Sequence, residues 1–306
     1  MSEDTETRPV TLAHRLEFAF VWLLARILRL LGLERSSRLM GRTWRLVAPL
    51  TARHKRAQAH LRMAIPQITD SEVRSITRRM WTHLGRVTGE SFFLDRLARE
   101  PDRIRFDDTT IAMIPEWKSG GSVIVSLHMG NWEMLGICAR RLEVDLAGLY
   151  QRLSNPLVDD FLRQMREPTY PAGLSSKGHS AVRRLVAHAR GGGALGVLAD
   201  LRDVRGVTVP FFGHLAYATP FPAMVARGYD MPLFAFRMRR TEGVNFTAEM
   251  VRVEVPRTED RKADIRAATA NLHAVYEKWI RETPEQWMWA HRKWLRPGDM
   301  KLPRGA

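Results

Sequence analysis

The chain has 306 residues, of which 45% are hydrophobic and 8% aromatic, and this composition excludes a disordered protein. A single cysteine, Cys138, excludes a disulfide-stabilised scaffold and a cysteine-based metal cluster. Its 48 basic residues outnumber the 33 acidic ones, which gives a net charge of +15. Arginines make up 41 of the basic residues. Arginine suits bidentate contacts with phosphate, although an arginine-rich genome would produce the same bias.

The positive charge is concentrated near the start of the chain, where residues 8–62 contain 12 basic and two acidic residues. Apolar and basic residues alternate at helical spacing over residues 11–33. Three arginines share one sector of this helix with Trp22: Arg15, Arg26 and Arg29. A basic, leucine-rich helix of this kind predicts contact with an anionic membrane, and the pattern leaves open whether the helix lies on the bilayer or crosses it. The alternative is an ordinary amphipathic helix on a soluble core.

The first residues do not have the pattern of a signal peptide. Residues 1–6 are acidic where a signal peptide would be basic, and no small-residue cleavage site follows the apolar run of residues 18–25. No stretch reaches the roughly 20 unbroken apolar residues of a comfortable membrane span. We therefore expect the chain to stay on the cytoplasmic side.

The periodicity changes at Pro101. Before it, further helices are predicted over residues 36–47, 52–63 and 70–97. After it, strands are predicted over residues 122–127, 144–150, 194–199, 207–212, 232–238 and 245–253. Helices are predicted over residues 132–141, 156–166, 180–189, 221–227 and 261–282. Strands separated by helices are typical of βαβ units, so we predict an α/β fold with a largely parallel central sheet flanked by helices. A basic helical region (residues 1–100, with the membrane helix at about 11–33) would precede an α/β body (residues 101–306).

A histidine and an acid separated by four residues, His128 and Glu133, directly follow the first long predicted strand. Such spacing is expected about once by chance in a chain of this composition, so its position carries the argument. Open α/β sheets place their ligands at the carboxyl ends of their strands. Asn131 is a suitable N-cap, which puts Glu133 in the first turn of the next helix. We predict that Glu133 holds the Nδ1–H of His128 and leaves Nε2 free to take a proton, as acyl transfer requires.

Two neighbouring strands are also followed by charged residues. Gln151 and Arg152 follow the strand at 144–150, and Asp200 follows the strand at 194–199. We expect this cation and this anion near the same sheet edge as the histidine. The alternatives are a surface arginine and an aspartate that merely ends a strand. The chain has no HExxH sequence and no cysteine pair, so no bound metal is predicted.

The stretch at 284–296 combines tryptophans with cations: Trp287, Trp289, Trp294, Arg292, Lys293 and Arg296. It predicts either a tail that packs on the core or an aromatic, cationic rim that contacts lipid headgroups or a phosphorylated sugar. Nucleic-acid binding is the other class that a charge of +15 suggests. It is disfavoured because the basic residues are interleaved with large apolar ones and no nucleic-acid-binding motif occurs.

Four blocks of this sequence resemble the late acyltransferases of lipid A biosynthesis, the lauroyl and myristoyl transferases of the lysophospholipid acyltransferase superfamily. The blocks are HMGNWE, YQRLSNPLVDDFL, LADLRDVRGVTVPFFG and PEQWMWAHRKW, in the family's order over roughly residues 12–297. The resemblance implies transfer of a fatty acyl chain from acyl carrier protein to a hydroxyl of a 3-hydroxyacyl chain on a lipid A precursor. It implies no bound cofactor, no nucleic acid, and a location among the lipids of the inner membrane's cytoplasmic face.

The same resemblance assigns roles to residues. His128 would be the general base, Glu133 would orient it, and the substrate-binding residues would be Asn131, Arg152 and Asp200. Two alternatives remain open from the sequence. One is the same chemistry on another glycolipid or a lysophospholipid, and the other is a non-enzymatic basic protein that binds membranes or nucleic acid.

Overall fold

The computed structural model describes residues 9–176 and 178–295. Over these residues the helices are α1 (Leu12–Leu31), α2 (Leu33–Val47), α3 (Ala52–Ala64), α4 (Asp70–Glu90), α5 (Leu94–Arg99), α6 (Asp108–Lys118), α7 (Leu135–Arg141), α8 (Pro156–Arg166), α9 (His179–Arg190), α10 (Phe221–Gly228) and α11 (Arg261–Glu282). The strands are β1 (Ile104–Phe106), β2 (Ser122–Gly130), β3 (Leu146–Tyr150), β4 (Leu174–Ser176), β5 (Ala194–Leu198), β6 (Val207–Phe211), β7 (His214–Ala218), β8 (Leu233–Arg240) and β9 (Phe246–Val253). The predicted α/β fold is confirmed.

The main sheet has seven strands within the described residues, in the order β1-β9-β8-β2-β5-β3-β4. Strands β8 and β9 pair antiparallel, and the other neighbours are parallel. Strands β6 and β7 form a separate antiparallel ribbon. The largely parallel sheet is therefore also confirmed, and β2, β5 and β3 bring their carboxyl ends to one edge.

The helices before residue 100 pack directly on the sheet. Leu61 of α3 and Met80 of α4 belong to the same buried cluster as Val123 of β2 and Leu195 of β5. Helix α2 packs along α4. The proposed boundary near residue 100 stays a prediction, because these helices share their apolar core with the strands that follow.

The predicted helix over 11–33 is divided at Gly32. Helix α1 ends at Leu31, and Gly32 has φ +80°, a left-handed conformation that favours glycine and allows α2 to start in a new direction. Helix α1 buries Ala25 and Leu28 and leaves an apolar face exposed: Leu12, Leu16, Phe20, Leu23, Ile27 and Leu30. Among the described residues, no helix is long and apolar enough to cross a membrane. Contact of α1 with the membrane surface stays a prediction.

Candidate active site

His128 lies near the carboxyl end of β2, as predicted. The pairing of β2 with β8 shifts register between Ser126 and Gly130, so the strand bends as it reaches the sheet edge. Gly130 has φ +58°, and a Cβ atom there would lie 1.6 Å from the carbonyl oxygen of Met238. Any side chain would clash with that backbone, so glycine is required for this bend.

Asp200 holds the His128 ring from the neighbouring strand. Its Oδ1 lies 2.7 Å from His128 Nδ1, and its Oδ2 accepts a 3.0 Å hydrogen bond from the backbone N–H of His128. The indole N–H of Trp287 donates to the same Oδ2 at 2.9 Å. Only 1% of Asp200 is exposed to solvent. Asp200 therefore fixes both the position and the orientation of the imidazole.

The charge state of Asp200 suits this role. Burial alone would raise its pKa, but the charge and hydrogen bond of His128, the charge of His291 and the hydrogen bond from Trp287 outweigh it and hold the pKa well below its usual range. A carboxylate on Nδ1 selects the imidazole tautomer that carries its proton there. The half-buried His128 makes no hydrogen bond through Nε2 to any described residue. That nitrogen is available as a proton acceptor.

Glu133 does not bind His128. It lies on the 3₁₀ turn Trp132–Met134 and makes two hydrogen bonds, of 2.7 and 2.6 Å, with the guanidinium of Arg166 from α8. The negative charge of Glu133 raises the pKa of Arg166. The prediction that Glu133 accepts a hydrogen bond from the Nδ1–H of His128 is thus wrong, because Asp200 reaches the ring from the end of an adjacent parallel strand while Glu133 faces α8. Glu133 and His128 still line one cavity of about 210 Å³. A catalytic contribution of Glu133 stays a prediction.

Asn131 begins the turn that carries Glu133. Its Oδ1 accepts a hydrogen bond from the backbone N–H of Glu133 at 3.3 Å, so the predicted N-cap is confirmed. Its Nδ2 donates to Glu90 of α4 at 2.9 Å, and Glu90 is paired with Arg240 of β8. Asn131 is fully buried. The structure uses its amide to hold the loop, and its contact with substrate stays a prediction.

Arg152 is exposed on the loop after β3 and does not line the cavity of His128. It lines a neighbouring cavity of about 760 Å³, together with Gln151, Arg202, Asp203 and Arg205. Gln151 also lines the cavity of His128, so the two cavities are adjacent. The structure therefore brings Arg152 near the site but not to the histidine. Its binding of substrate stays a prediction.

The residues after α11 form part of the site. Trp287 forms an isolated antiparallel bridge with Met129, and the N–H of Met288 donates to the carbonyl of His128 at 3.2 Å. Trp287 and Trp289 are fully buried, which confirms the packed tail; Arg296 lies outside the described residues. The sequence did not predict that this tail would reach Asp200. The nearest signal was the dense tryptophan and cation pattern of residues 284–296.

Three basic side chains lie close to the site and are wholly or partly buried: His273 of α11, and His291 and Lys293 of the segment after it. Lys293 Nζ lies 2.9 Å from His273 Nε2, and burial lowers the pKa of Lys293 to about 8. Burial and the charge of Lys293 lower the pKa of His273 to about 3. The His291 ring lies 5.3 Å from the His128 ring, and burial followed by the charge of His128 lowers the pKa of His291 to about 4. His273 and His291 are consequently neutral at pH 7.

A cavity of about 720 Å³, similar in volume to that of Arg152 and called the large cavity below, adjoins the cavity of His128. The two share four lining residues: Trp132, Glu133, Arg166 and Leu201. Side chains from α1, α4 and α8 supply much of its apolar wall, including Val21, Leu84 and Leu162. A volume of this size with an apolar wall fits a lipid chain beside the histidine. No group of three or more metal-binding side chains occurs among residues 9–176 and 178–295.

The sequence pattern of the bacterial lipid A biosynthesis acyltransferase family matches residues 8–296. No curated protein matches the chain. Because the match covers nearly all of the 306 residues, the chain belongs to this family. The resemblance drawn from the sequence motifs is confirmed. Membership makes the protein an acyltransferase of lipid A biosynthesis and rules against the non-enzymatic basic protein.

Proposed function

We propose that this family member transfers a fatty acyl chain from the thioester of acyl carrier protein to a hydroxyl of a 3-hydroxyacyl chain on a lipid A precursor. One observation carries the proposal. His128 lines a cavity that adjoins the large cavity and is fixed through Nδ1 by the buried Asp200, while its Nε2 makes no hydrogen bond with the residues that the structure describes. This is the arrangement that a general base needs beside a lipid hydroxyl.

In the proposed reaction, His128 Nε2 takes the proton of the acceptor hydroxyl while that oxygen attacks the thioester carbonyl carbon. The carbonyl oxygen becomes negatively charged in a tetrahedral intermediate. When the intermediate collapses, the C–S bond breaks, the new ester is complete, and the thiolate of the carrier recovers the proton from the imidazolium. Asp200 stabilises that imidazolium, since its carboxylate stays ionised next to Nδ1.

The pair of Arg166 and Glu133 supplies a second group at the reacting centre. Both residues line the cavity of His128. Glu133 holds the Arg166 guanidinium through two hydrogen bonds, which leaves it in a fixed orientation. In the proposal, Arg166 faces the developing negative charge of the thioester oxygen, and Glu133 positions Arg166. Arg152 binds an acidic group of a substrate in the adjoining cavity.

The proposed location is the cytoplasmic face of the inner membrane, with α1 lying in the lipid interface. The support is the exposed apolar face of α1, on which Phe20 is 67% and Leu16 64% exposed. Arg26 lies over the Trp22 ring at 5.4 Å, a cationic and aromatic pair suited to headgroup depth. Val21 and Leu24 on the other side of α1 line the large cavity, so an acceptor lipid could pass along this helix.

The membrane contact is tested with Leu16→Glu combined with Phe20→Glu. We expect this double variant to lose at least about tenfold in affinity for vesicles of anionic phospholipid, because two apolar side chains no longer enter the interface. Sedimentation with the vesicles measures it. Ile111→Glu changes an exposed apolar residue of α6 and is the matched control. Unchanged sedimentation of the α1 variant would contradict the proposed membrane face.

The catalytic proposal is tested with His128→Ala. We expect kcat to fall by about 10²–10⁴-fold, because the reaction loses its general base. The measurement is transfer of a radiolabelled acyl chain from acyl carrier protein to a purified lipid A precursor in detergent. His179→Ala changes an exposed histidine of α9 that lines none of the cavities described, and it should retain full turnover. Retained turnover in a well-folded His128→Ala protein would refute the mechanism.

A further inference from the structure

The large cavity carries positive charge that an acyl chain does not require. Its lining contains four arginines besides Arg166: Arg53, Arg56, Arg202 and Arg292. The acid in the same lining, Glu133, is already neutralised by Arg166. The described lining therefore holds five arginines and one acid.

Two of these arginines are not used to hold the fold. Arg53 of α3 and Arg292 of the tail are both exposed. The side chain of neither arginine makes a hydrogen bond or ion pair with another described residue. Arg56 differs, because it donates to the carbonyl of Ala290 at 3.1 Å and so links α3 to the tail. Arg53 and Arg292 can thus turn their guanidinium groups towards a ligand at little conformational cost to the protein.

His291 is a further polar side chain in the wall of the large cavity. Its buried Nε2 has no hydrogen-bond partner among the described residues. Burial lowers its pKa to about 4, and the charges of His128, Lys293 and Arg53 contribute. The unpartnered Nε2 is a polar atom in this wall that a ligand group can meet with a hydrogen bond.

Much of the remaining lining of the large cavity is apolar. Helices α2 and α4, the 3₁₀ turn Ser91–Phe93 and α8 contribute Trp44, Trp81, Leu84, Val87, Phe92 and Leu162. A ligand that satisfies both parts has an alkyl chain and an anionic group near one end. Arginine forms charge-assisted bidentate hydrogen bonds with phosphate, and four arginines suit a phosphate group better than a single carboxylate.

We propose that Arg53 and Arg292, assisted by Arg56 and Arg202, bind a phosphate group of an amphiphilic ligand whose alkyl chain lies in the large cavity. The proposal deepens the proposed function, on which it rests for the identity of the cavity as the lipid site. It places a phosphate site in the large cavity, separate from the adjoining cavity in which Arg152 is proposed to bind an acidic group. Either a lipid headgroup or free phosphate could supply the anion, and the alkyl chain distinguishes these sources.

The test measures binding and needs no turnover. Dodecyl phosphate, dodecyl maltoside and inorganic phosphate are titrated into the detergent-free protein below their micelle concentrations. The readout is tryptophan fluorescence, since Trp44, Trp81 and Trp132 line the cavity. We expect dodecyl phosphate to bind at least about tenfold more tightly than dodecyl maltoside, and inorganic phosphate to show no saturation in the same range.

The double variant Arg53→Gln, Arg292→Gln should lose the tenfold preference while it still binds dodecyl maltoside, which shows that the cavity is intact. The control is Arg183→Gln combined with Arg184→Gln, two exposed arginines of α9 away from the cavities described, and it should keep the preference. His128→Ala should also keep it, so a failure of the catalytic proposal is seen separately. Equal binding of the two amphiphiles by the wild type, or a preference retained by the Arg53, Arg292 variant, would overturn the proposal. If inorganic phosphate binds as tightly as dodecyl phosphate, the claim that the ligand is an amphiphile would be overturned.

Discussion

Two buried carboxylates hold the carboxyl end of β2 and the turn that follows it, one from each neighbouring strand's side. On the β5 side, Asp200 binds the imidazole of His128. On the β8 side, Glu90 binds the guanidinium of Arg240 through hydrogen bonds of 2.8 and 2.7 Å and accepts a 2.9 Å bond from Asn131. Both carboxylates are almost fully buried. They differ in the side chain that each one binds, a histidine for Asp200 and an arginine for Glu90.

That difference separates chemistry from support. A guanidinium offers only N–H donors and no acceptor, so the pair of Glu90 and Arg240 holds the turn in place and cannot take up a proton from a substrate. An imidazole can accept a proton on one ring nitrogen while the other keeps its own, so the pair of Asp200 and His128 can take part in proton transfer. In the proposed mechanism, a buried carboxylate therefore acquires its role from its partner as much as from its position.

The largest effect is expected from Asp200→Asn. The amide keeps the shape of the side chain but removes the charge that stabilises the imidazolium, so kcat should fall by about 10²–10⁴-fold. Steady-state acyl transfer at pH 7.5 measures it. Asp102→Asn makes the same change at an exposed aspartate that lines none of the cavities described, and it should leave kcat within about threefold. A kcat for Asp200→Asn that matches this control would remove the distinction between the two carboxylates.

The next effect is expected from Glu90→Gln, and it concerns stability. The variant leaves the buried Arg240 without its carboxylate, which should lower the free energy of unfolding by about 3–5 kcal/mol. Urea unfolding followed by circular dichroism measures it. Glu167→Gln removes an exposed i, i+4 pair with Arg163 and should change stability by less than about 0.5 kcal/mol. Equal stability of the Glu90 and Glu167 variants would show that the pair of Glu90 and Arg240 is not a structural support.

The smallest effect is expected from the pair of Glu133 and Arg166, which borders both cavities. Because Glu133 bonds Arg166 rather than His128, Glu133→Gln and Arg166→Gln should lower kcat by similar factors, and the double variant should be no worse than either. In unfolding experiments the two residues should show a coupling free energy of about 0.5–3 kcal/mol. A much larger kcat loss in Glu133→Gln than in Arg166→Gln would mean that Glu133 acts on His128 independently of the arginine.

The sequence predicted the sheet well where the strands are long and apolar. The residues of β2 are almost all buried, with no alternation between a polar and an apolar face, because helices cover both sides of the sheet. A continuous apolar run of this kind is readily recognised in a sequence. The three-residue strands β1 and β4 escaped prediction because so few residues give no periodicity. Helix α6 escaped because Pro115 lies inside it, where proline usually indicates a helix end.

The partner of His128 was harder to predict, and the reason is geometric. Glu133 is close in sequence, and the N-cap at Asn131 correctly placed it in the first turn. The direction of its side chain depends on α8, because Arg166 attracts it from 33 residues away. Asp200 was recognised as a residue of the same sheet edge. Its contact with Nδ1 depends on the order of β2 and β5 in the sheet, which no local pattern encodes.

In the proposed mechanism, the hydrogen bonds of Asp200 with His128 and Trp287 also determine when activity can appear during refolding. The first joins His128 to a residue 72 positions away, and the second joins Trp287 to the same carboxylate over 87 positions. Contacts of such long range form late, after the loops between them have closed. A collapsed intermediate with native helices would hold the histidine without its aspartate, so recovery of turnover after dilution from denaturant should coincide with the final, slowest folding phase.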